Sequence, residues 1–452
     1  AGVPSIAGHP REAGASTGRA RGARPAPLHA RTASRATRTG ANDVSAPVTP
    51  HPGPLAGVRV LELAQIMAGP TAGMMLADLG AEVIKVEKLP GGDDSRGYRE
   101  PRVNGVSAPF MILNRNKRGI ALNLKDERGK EVLRRMVAKA DVLTENYRRG
   151  TLEKLGLGYE ALSTLNPGLI YCAVSGYGRD GPWADKGGFD LIAQGFAGLM
   201  SITGEPGRPP VKTGNSVADI NGGILAAVGI LAAYVHKLKT GRGQMVDTSL
   251  MEAALQQTYW HAAIFLATGV SPHALGSSHV LTAPYQAFRT ADGYINIGGA
   301  NQSNWERIAD VLGHPEWKSD ARFATNADRM RNLPELVAAM EAELARHDRA
   351  HWIGVFDSAG VPVGPVHSIG EALSHPQVLA RGMVVDLHHP QAGATRALGC
   401  PVHLSATPAR IDRPAPLLGE HTREVLREHG YDDAQVDVLA AAGVVEEASG
   451  RQ

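Results

Sequence analysis

Residues 58–87 restrict the fold more than any other stretch of the chain. Two short runs rich in β-branched residues, VRVLEL at 58–63 and AEVIKVE at 81–87, flank GPTAGMMLADLG at 69–80. The runs have the length of buried strands and the segment between them that of a helix. Two strands joined by a helical crossover lie parallel in one sheet. The alternation continues with strands at 120–124, 142–144 and 169–174 and an amphipathic helix at 127–140. This is the pattern of a doubly wound, Rossmann-like α/β domain with a parallel sheet.

Beyond it, VADINGGILAAVGILAAYVHKLKTGRGQ reads as a buried helix over 220–235, closed by His236, Lys237 and Lys239 and stopped at Gly241. Asp219 is expected at its N-terminal mouth, either as the capping residue or as a poorly solvated, nucleophilic carboxylate. A strand, QMVDTSL, leads into one long helix at 251–267. TAPYQAFRTADGYINIGG then shows the alternation and the Asp292-Gly293 turn of a hairpin. Helices are expected over 304–347, then the strand-like VPVGPV, MVVDLHHP, PVHLS, and two closing helices.

A net charge of +2 makes no electrostatic case for nucleic acid or an anionic membrane. Cys172 and Cys400 match no metal spacing and read as buried thiols of a reducing compartment. The apolar run after Asp219 is short for a bilayer span of about 20 residues, so a soluble protein is expected. Residues 1–53 are rich in Arg, Ala, Ser, Gly and Pro and poor in acids, which predicts a disordered extension. The expected location is the cytoplasm, or the mitochondrial matrix should that leader be a transit peptide.

Glu87 ends a βαβ unit as a ribose-binding carboxylate would, but LAQIMAGPTAG lacks the dinucleotide glycines and carries Pro70 where the phosphate loop needs an N–H. Glu87 therefore reads as a surface or structural charge. Gly214-Asn215-Ser216-Val217-Ala218 approximates a nucleophile elbow without a good preceding strand or a defensible base. His347 and His351 have the spacing of two imidazoles on one helix face but lack the zinc-site glutamate, and His388-His389 reads as a surface turn. No metal site is expected. Lys88, Asn123, Lys125, Asn146, Arg148 and Lys154 follow strands, where ligands of open α/β sheets bind, and together suit a phosphorylated ligand.

Five stretches carry a resemblance: PLAGVRVLELAQIMAGPTAGMMLADLGAEVIKVEKLPGGDDSR, NRNKRGIALNLKDERGKE, ADVLTENYRRGTLEKLGLGYE, IYCAVSGYGRDGPW and KTGRGQMVDTSL. From 54 to 445 the chain resembles the class III CoA-transferases, the formyl-CoA and carnitine-CoA transferase family of the CaiB/BaiF type. The resemblance implies Asp219 as nucleophile, passing through an aspartyl anhydride and an aspartyl-CoA thioester, with nearby backbone N–H groups stabilising the oxyanions. It implies CoA contacts at Lys88, Leu122, Asn123, Lys125, Asn146, Tyr147, Arg148 and Lys154. Candidates for the acid-substrate pocket are Met67, Ala68, Ser278 and His279. Met67 stands in place of the active-site Gln of formyl-CoA transferases, and 276–285 is shorter than their glycine loop. ITGEPGRPP, APYQAF, GVPVGPV and APLLGEHT look closer to the branch that uses succinyl-CoA and dicarboxylates.

The partners implied are an acyl-CoA, a free carboxylic acid and a second copy of the chain in an interlocked homodimer; nucleic acid and membrane are not expected. No cofactor is bound permanently, and the CoA thioester is a substrate. The implied organisation is a large CoA-binding domain from 54–245 and 371–445, a helical connector at 246–270, a small α+β domain at 271–370 and a tail at 446–452. Competing activities are acyl hydrolysis, a catalytically dead CoA-binding protein, and racemisation of α-methylacyl-CoA. The racemase His is replaced by Phe189 in Gly188-Phe189-Asp190 and its Glu falls near Asn301, neither of which moves a proton at neutral pH.

Overall fold

Strand Arg59–Leu63 divides its side chains between two cores, as the period of two requires. Leu61 and Leu63 join one apolar cluster and Val60 the other. In the computed structural model, which describes residues 53–448, this strand lies inside a seven-stranded sheet. The order is Val445–Glu446, Arg118–Leu122, Glu82–Lys88, Arg59–Leu63, Val142–Glu145, Ile170–Ser175, Met245–Ser249. All pairs are parallel except Val445–Glu446, which lies antiparallel to Leu122 and Ala121. Taken in chain order, the parallel strands run 3-2-1-4-5-6 across the sheet. The direction of winding therefore reverses between Arg59–Leu63 and Val142–Glu145, and the loops leaving these two strands diverge to open a crevice.

One face is covered by Glu127–Val137, Thr422–Glu428 and Asp433–Ala441, which supply Val132, Leu133, Val425, Leu426, Val436 and Leu439 to the first cluster. The other is covered by Ala68–Asp78 and the 24-residue helix Val217–Thr240. These two helices cross closely because residue 223 is glycine: a Cβ there would come within 2.5 Å of the Ala68 carbonyl oxygen and 2.6 Å of Thr71 Cβ. The crossing brings the first turn of the long helix to the crevice.

A third cluster, with Phe288, Ile295, Trp305, Phe323 and Phe356, surrounds a three-stranded antiparallel sheet of Val363–Pro365, Tyr294–Gly298 and Tyr285–Arg289. The expected turn at Asp292-Gly293 closes it, with Thr290 N–H donating to the Gly293 carbonyl at 2.8 Å.

Several expectations need correction. The helix foreseen at 220–235 spans Val217–Thr240, long and apolar enough to cross a bilayer, although one of its faces is packed on the sheet. The helix foreseen at 251–267 is two, Leu250–Gln256 and Tyr259–Thr268. Thr258 interrupts it by donating both its N–H (3.0 Å) and its hydroxyl (2.7 Å) to the Leu255 carbonyl, a local bond that competes with the helical ladder. His388 and His389 lie in strand Val384–His389 instead of a surface turn, and His389 is buried. PVHLS forms no strand, and Cys400 is only half-buried. Glu87 is structural: buried, it accepts two bonds from Arg96 at 2.6 and 2.7 Å. The extension at 1–53 lies, apart from Gly53, outside the described residues.

Candidate active site at the strand-order reversal

The crevice is a cleft of about 420 Å3 walled by the loop after Arg59–Leu63, the loop after Val142–Glu145, the Gly187-Gly188-Phe189 segment and Asp219. Each wall follows from the winding of the chain. The first two loops leave neighbouring parallel strands at the same end, and they are stitched together by an amide. Gln65 N–H donates to Asn146 Oδ1 at 2.9 Å, and Asn146 Nδ2 donates to the Gln65 carbonyl at 2.8 Å.

Asp219 does not cap its helix. Ser216 holds the N-cap position without a side-chain bond, and Asp219 sits in the first turn as the third helical residue. The capping carboxylate comes from elsewhere. Asp190, the first residue of helix Asp190–Phe196, accepts N–H from Ala218 at 2.8 Å and from Asp219 at 3.4 Å. It also accepts from Gln194 Nε2 at 2.7 Å, and Gln194 Oε1 takes the Thr213 N–H at 2.9 Å, tying down the chain that enters the long helix. The backbone N–H groups of residues 218 and 219 are therefore turned to Asp190.

This arrangement leaves the Asp219 carboxyl half-buried and, among the described residues, accepting no hydrogen bond. Burial, reinforced by the negative charge of Asp190, pushes its carboxyl up to about 7. A carboxylate held this way has lost part of its solvation without gaining a counter-ion, which raises its nucleophilicity.

The cleft gathers Met67, Ala68, Asn146, Tyr147, Arg148 and Asp219. Burial pushes the Tyr147 phenol up to about 12. Lys88, Asn123, Lys125 and Lys154 do not wall the cleft: Lys88 ends strand Glu82–Lys88, Asn123 and Lys125 follow Arg118–Leu122, and Lys154 ends helix Thr151–Lys154. Lys88 is ion-paired with Asp94, and Asn123 Oδ1 accepts from Lys125 N–H at 3.0 Å. The Leu122 side chain is in the first core, so position 122 offers only its backbone. Ser278 and His279 lie elsewhere: Ser278 Oγ donates to Gln286 Oε1 of strand Tyr285–Arg289 at 2.7 Å, and His279 Nδ1 accepts from Leu281 N–H at 3.1 Å. Phe189, largely exposed, stands beside Asp219, and Asn301 is the N-cap of Gln302–Val311. Among the described residues no three His, Cys, Asp or Glu side chains form a metal-sized group. Sequence reasoning missed Asp190 as the capping group, although an acid following Gly188-Phe189 at a helix start was the available signal.

The family model for CoA-transferase family III matches residues 55–422. A succinyl-CoA:glutarate CoA-transferase of Mus musculus is 39% identical over 395 residues, which cover 87% of this chain and 91% of that protein. A succinate–glutarate CoA-transferase of Agrobacterium fabrum is 41% identical, covering 83% and 95%. The crystal structure of a CaiB/BaiF family protein from Brucella suis superposes with a TM-score of 0.75 at 38% identity, covering 83% of this chain and 99% of that one.

Proposed function

The chain belongs to CoA-transferase family III, and from that premise we propose that it moves CoA from succinyl-CoA to a second dicarboxylic acid such as glutarate, with Asp219 as nucleophile. The observation that carries this reading is the desolvated Asp219 carboxylate in the cleft at the strand-order reversal. Its oxygen attacks the thioester carbonyl carbon, the C–S bond breaks with its electron pair on sulfur, and a mixed aspartyl–succinyl anhydride remains. The CoA thiolate attacks the aspartyl carbonyl of that anhydride, expelling succinate and leaving an aspartyl-CoA thioester. The acceptor carboxylate then repeats the first step on this thioester, and the returning thiolate takes the new acyl group and frees Asp219. Every bond broken is matched by one of similar energy, so the covalent route splits an exchange between two carboxylates into passable steps. The balance closes with the thioester and two acids alone.

Lys125, Arg148 and Lys154 have no acidic partner among the described residues, and with Lys88 they form the cationic edge proposed to receive the CoA phosphates. Phe189 beside Asp219 has no proton to exchange, which disfavours racemisation. The test is to mix succinyl-CoA with a panel of dicarboxylic and monocarboxylic acids in deuterated buffer and resolve products by mass. The expected result is one acyl-CoA formed per succinate released, fastest with five-carbon dicarboxylates, and no α-deuterium. Succinyl-CoA hydrolysis at the same rate without acceptor, or α-exchange, would overturn the reading.

The finer architecture is also proposed: a large domain built from both ends of the chain, a small domain at 271–370, and an interlocked dimer. Helix Tyr259–Thr268 has no buried residue and exposes Trp260, Phe265 and Leu266, an apolar face that a second copy would cover. In such a dimer Ser278 and His279 of the partner subunit are free to complete the acid pocket. Light scattering should give twice the 47.7 kDa chain mass. A monomer at micromolar concentration removes this part of the proposal.

A further inference from the structure

The cleft wall formed by residues 65–68 contains a conformation that its residue does not favour. Ile66 has φ +67°, in the left-handed region, where the branched Cβ crowds the backbone. Left-handed β-branched residues persist where their surroundings over-determine them, and they cluster at functional sites. Here the determinants are buried charges. Asp93 accepts the Ile66 N–H with both oxygens, at 3.0 and 3.3 Å, and is itself held by Ser95 N–H (2.9 Å), Ser95 Oγ (2.7 Å) and Lys85 (2.8 Å). Lys85 also donates to the Ala64 carbonyl at 2.8 Å and to Glu62 at 2.9 Å. Lys117 shares Glu62 and donates to the Pro70 carbonyl at 2.9 Å. Three fully or nearly buried charges, two of them joined through Glu62, thus reach the backbone at residues 64, 66 and 70, and Met67 and Ala68 lie between those anchors.

We propose that Asp93 is a positioning residue, whose carboxylate holds Ile66 in its left-handed conformation and thereby sets the Met67–Ala68 wall of the cleft against the bound acyl group. This deepens the transferase reading and rests on it. Asp93 touches no substrate in this account; it acts through the Ile66 N–H. Losing that bond lets residue 66 relax toward negative φ, which swings Met67 and displaces the wall. A displacement near 1 Å at a reacting centre is enough for a loss of about 100-fold.

The experiment combines Asp93→Asn with substitutions at 66 in the full-length chain. Asp93→Asn keeps one acceptor oxygen, which the buried Lys85 ammonium claims, and turns its NH2 toward the Ile66 N–H, so kcat is expected to fall about 100-fold with KM for succinyl-CoA little changed, because the cationic edge is untouched. Ile66→Gly in that background should restore about tenfold, the factor to which the left-handed penalty of a side chain corresponds. Ile66→Ala should restore none. Since Asp93→Asn also removes the negative charge beside buried Lys85, Ile66→Pro serves as a variant that leaves every buried charge in place: its φ near −65° and missing N–H should cost a similar factor. Hydrogen exchange of peptides covering 64–70 is measured alongside. It should quicken in Asp93→Asn whatever reaction the protein catalyses, so a failure of the transferase reading is separable from a failure of this one. Full activity in Ile66→Pro, no rescue by glycine in a folded Asp93→Asn protein, or unchanged exchange at 64–70 would each overturn the assignment.

Discussion

Asp219→Asn is expected to lower kcat/KM for CoA transfer by roughly 10^4-fold or more, as loss of a covalent nucleophile does, with the melting curve little altered. The amide has the shape of the carboxylate, so packing in the first turn of Val217–Thr240 is kept while the attacking oxygen loses its charge. With acyl-CoA and borohydride or hydroxylamine, mass analysis should mark residue 219 in the wild-type protein and nothing in the variant. The pH profile follows from the raised carboxyl. Below its pKa of about 7 Asp219 holds a proton and cannot attack, so kcat/KM climbs with pH and levels off above that value. Asp190→Asn removes the like charge but keeps an oxygen to accept the Ala218 N–H, so the limb should move to lower pH. It should stop short of the ordinary carboxylate range, because burial is the larger cause. A limb that stays in place in Asp190→Asn, or full transfer by Asp219→Asn, defeats the account.

The parts of the site that were legible in the sequence are those governed by local rules. The βαβ unit at 58–87 appears as Arg59–Leu63, Ala68–Asp78 and Glu82–Lys88, because short β-branched runs and a helix between them leave few alternatives. Gly241 ends the long helix with φ +73°, as the composition around it announces. What stayed hidden depends on distance along the chain. The cap of the Asp219 helix is supplied by Asp190, 28 residues before Ala218, and no spacing rule reaches that far. The left-handed Ile66 runs against local preference, since a β-branched residue is the last that propensity would place there. No local rule pairs Glu62 with Lys85 and Lys117, yet all three are buried; the register that puts Glu62 opposite Lys85 shows why. Local physics thus wrote the scaffold, and contacts between strand ends wrote the wall of the cleft.

That buried set has the largest expected effect on stability. Glu62 lies on the middle strand of the seven-stranded sheet, fully buried, accepting from Lys85 at 2.9 Å and Lys117 at 3.0 Å. Gly73 makes room for it: a Cβ there would fall 1.7 Å from Glu62 Oε2. Glu62→Gln keeps the volume and removes the one carboxylate that two buried ammonium groups share. Breaking a buried pair by neutralising one partner costs about 3–5 kcal/mol, a large part of the 5–15 kcal/mol that typically holds a domain together. The loss should depend on pH with a definite sign. Burial already draws the Lys117 ammonium down to about 8, and the Glu62 charge is the largest effect opposing that. In the variant Lys117 therefore sheds its proton at lower pH. Between that lowered value and the ordinary lysine range near about 10.4 the unfolded chain binds more protons than the folded one, so stability rises with pH. Urea midpoints of the two proteins should accordingly lie far apart at pH 7 and draw together at pH 9. Coincident midpoints at pH 7 would mean that the four charges do not hold the sheet together, and a gap that widens toward pH 9 would mean that Lys117 is not the group that responds.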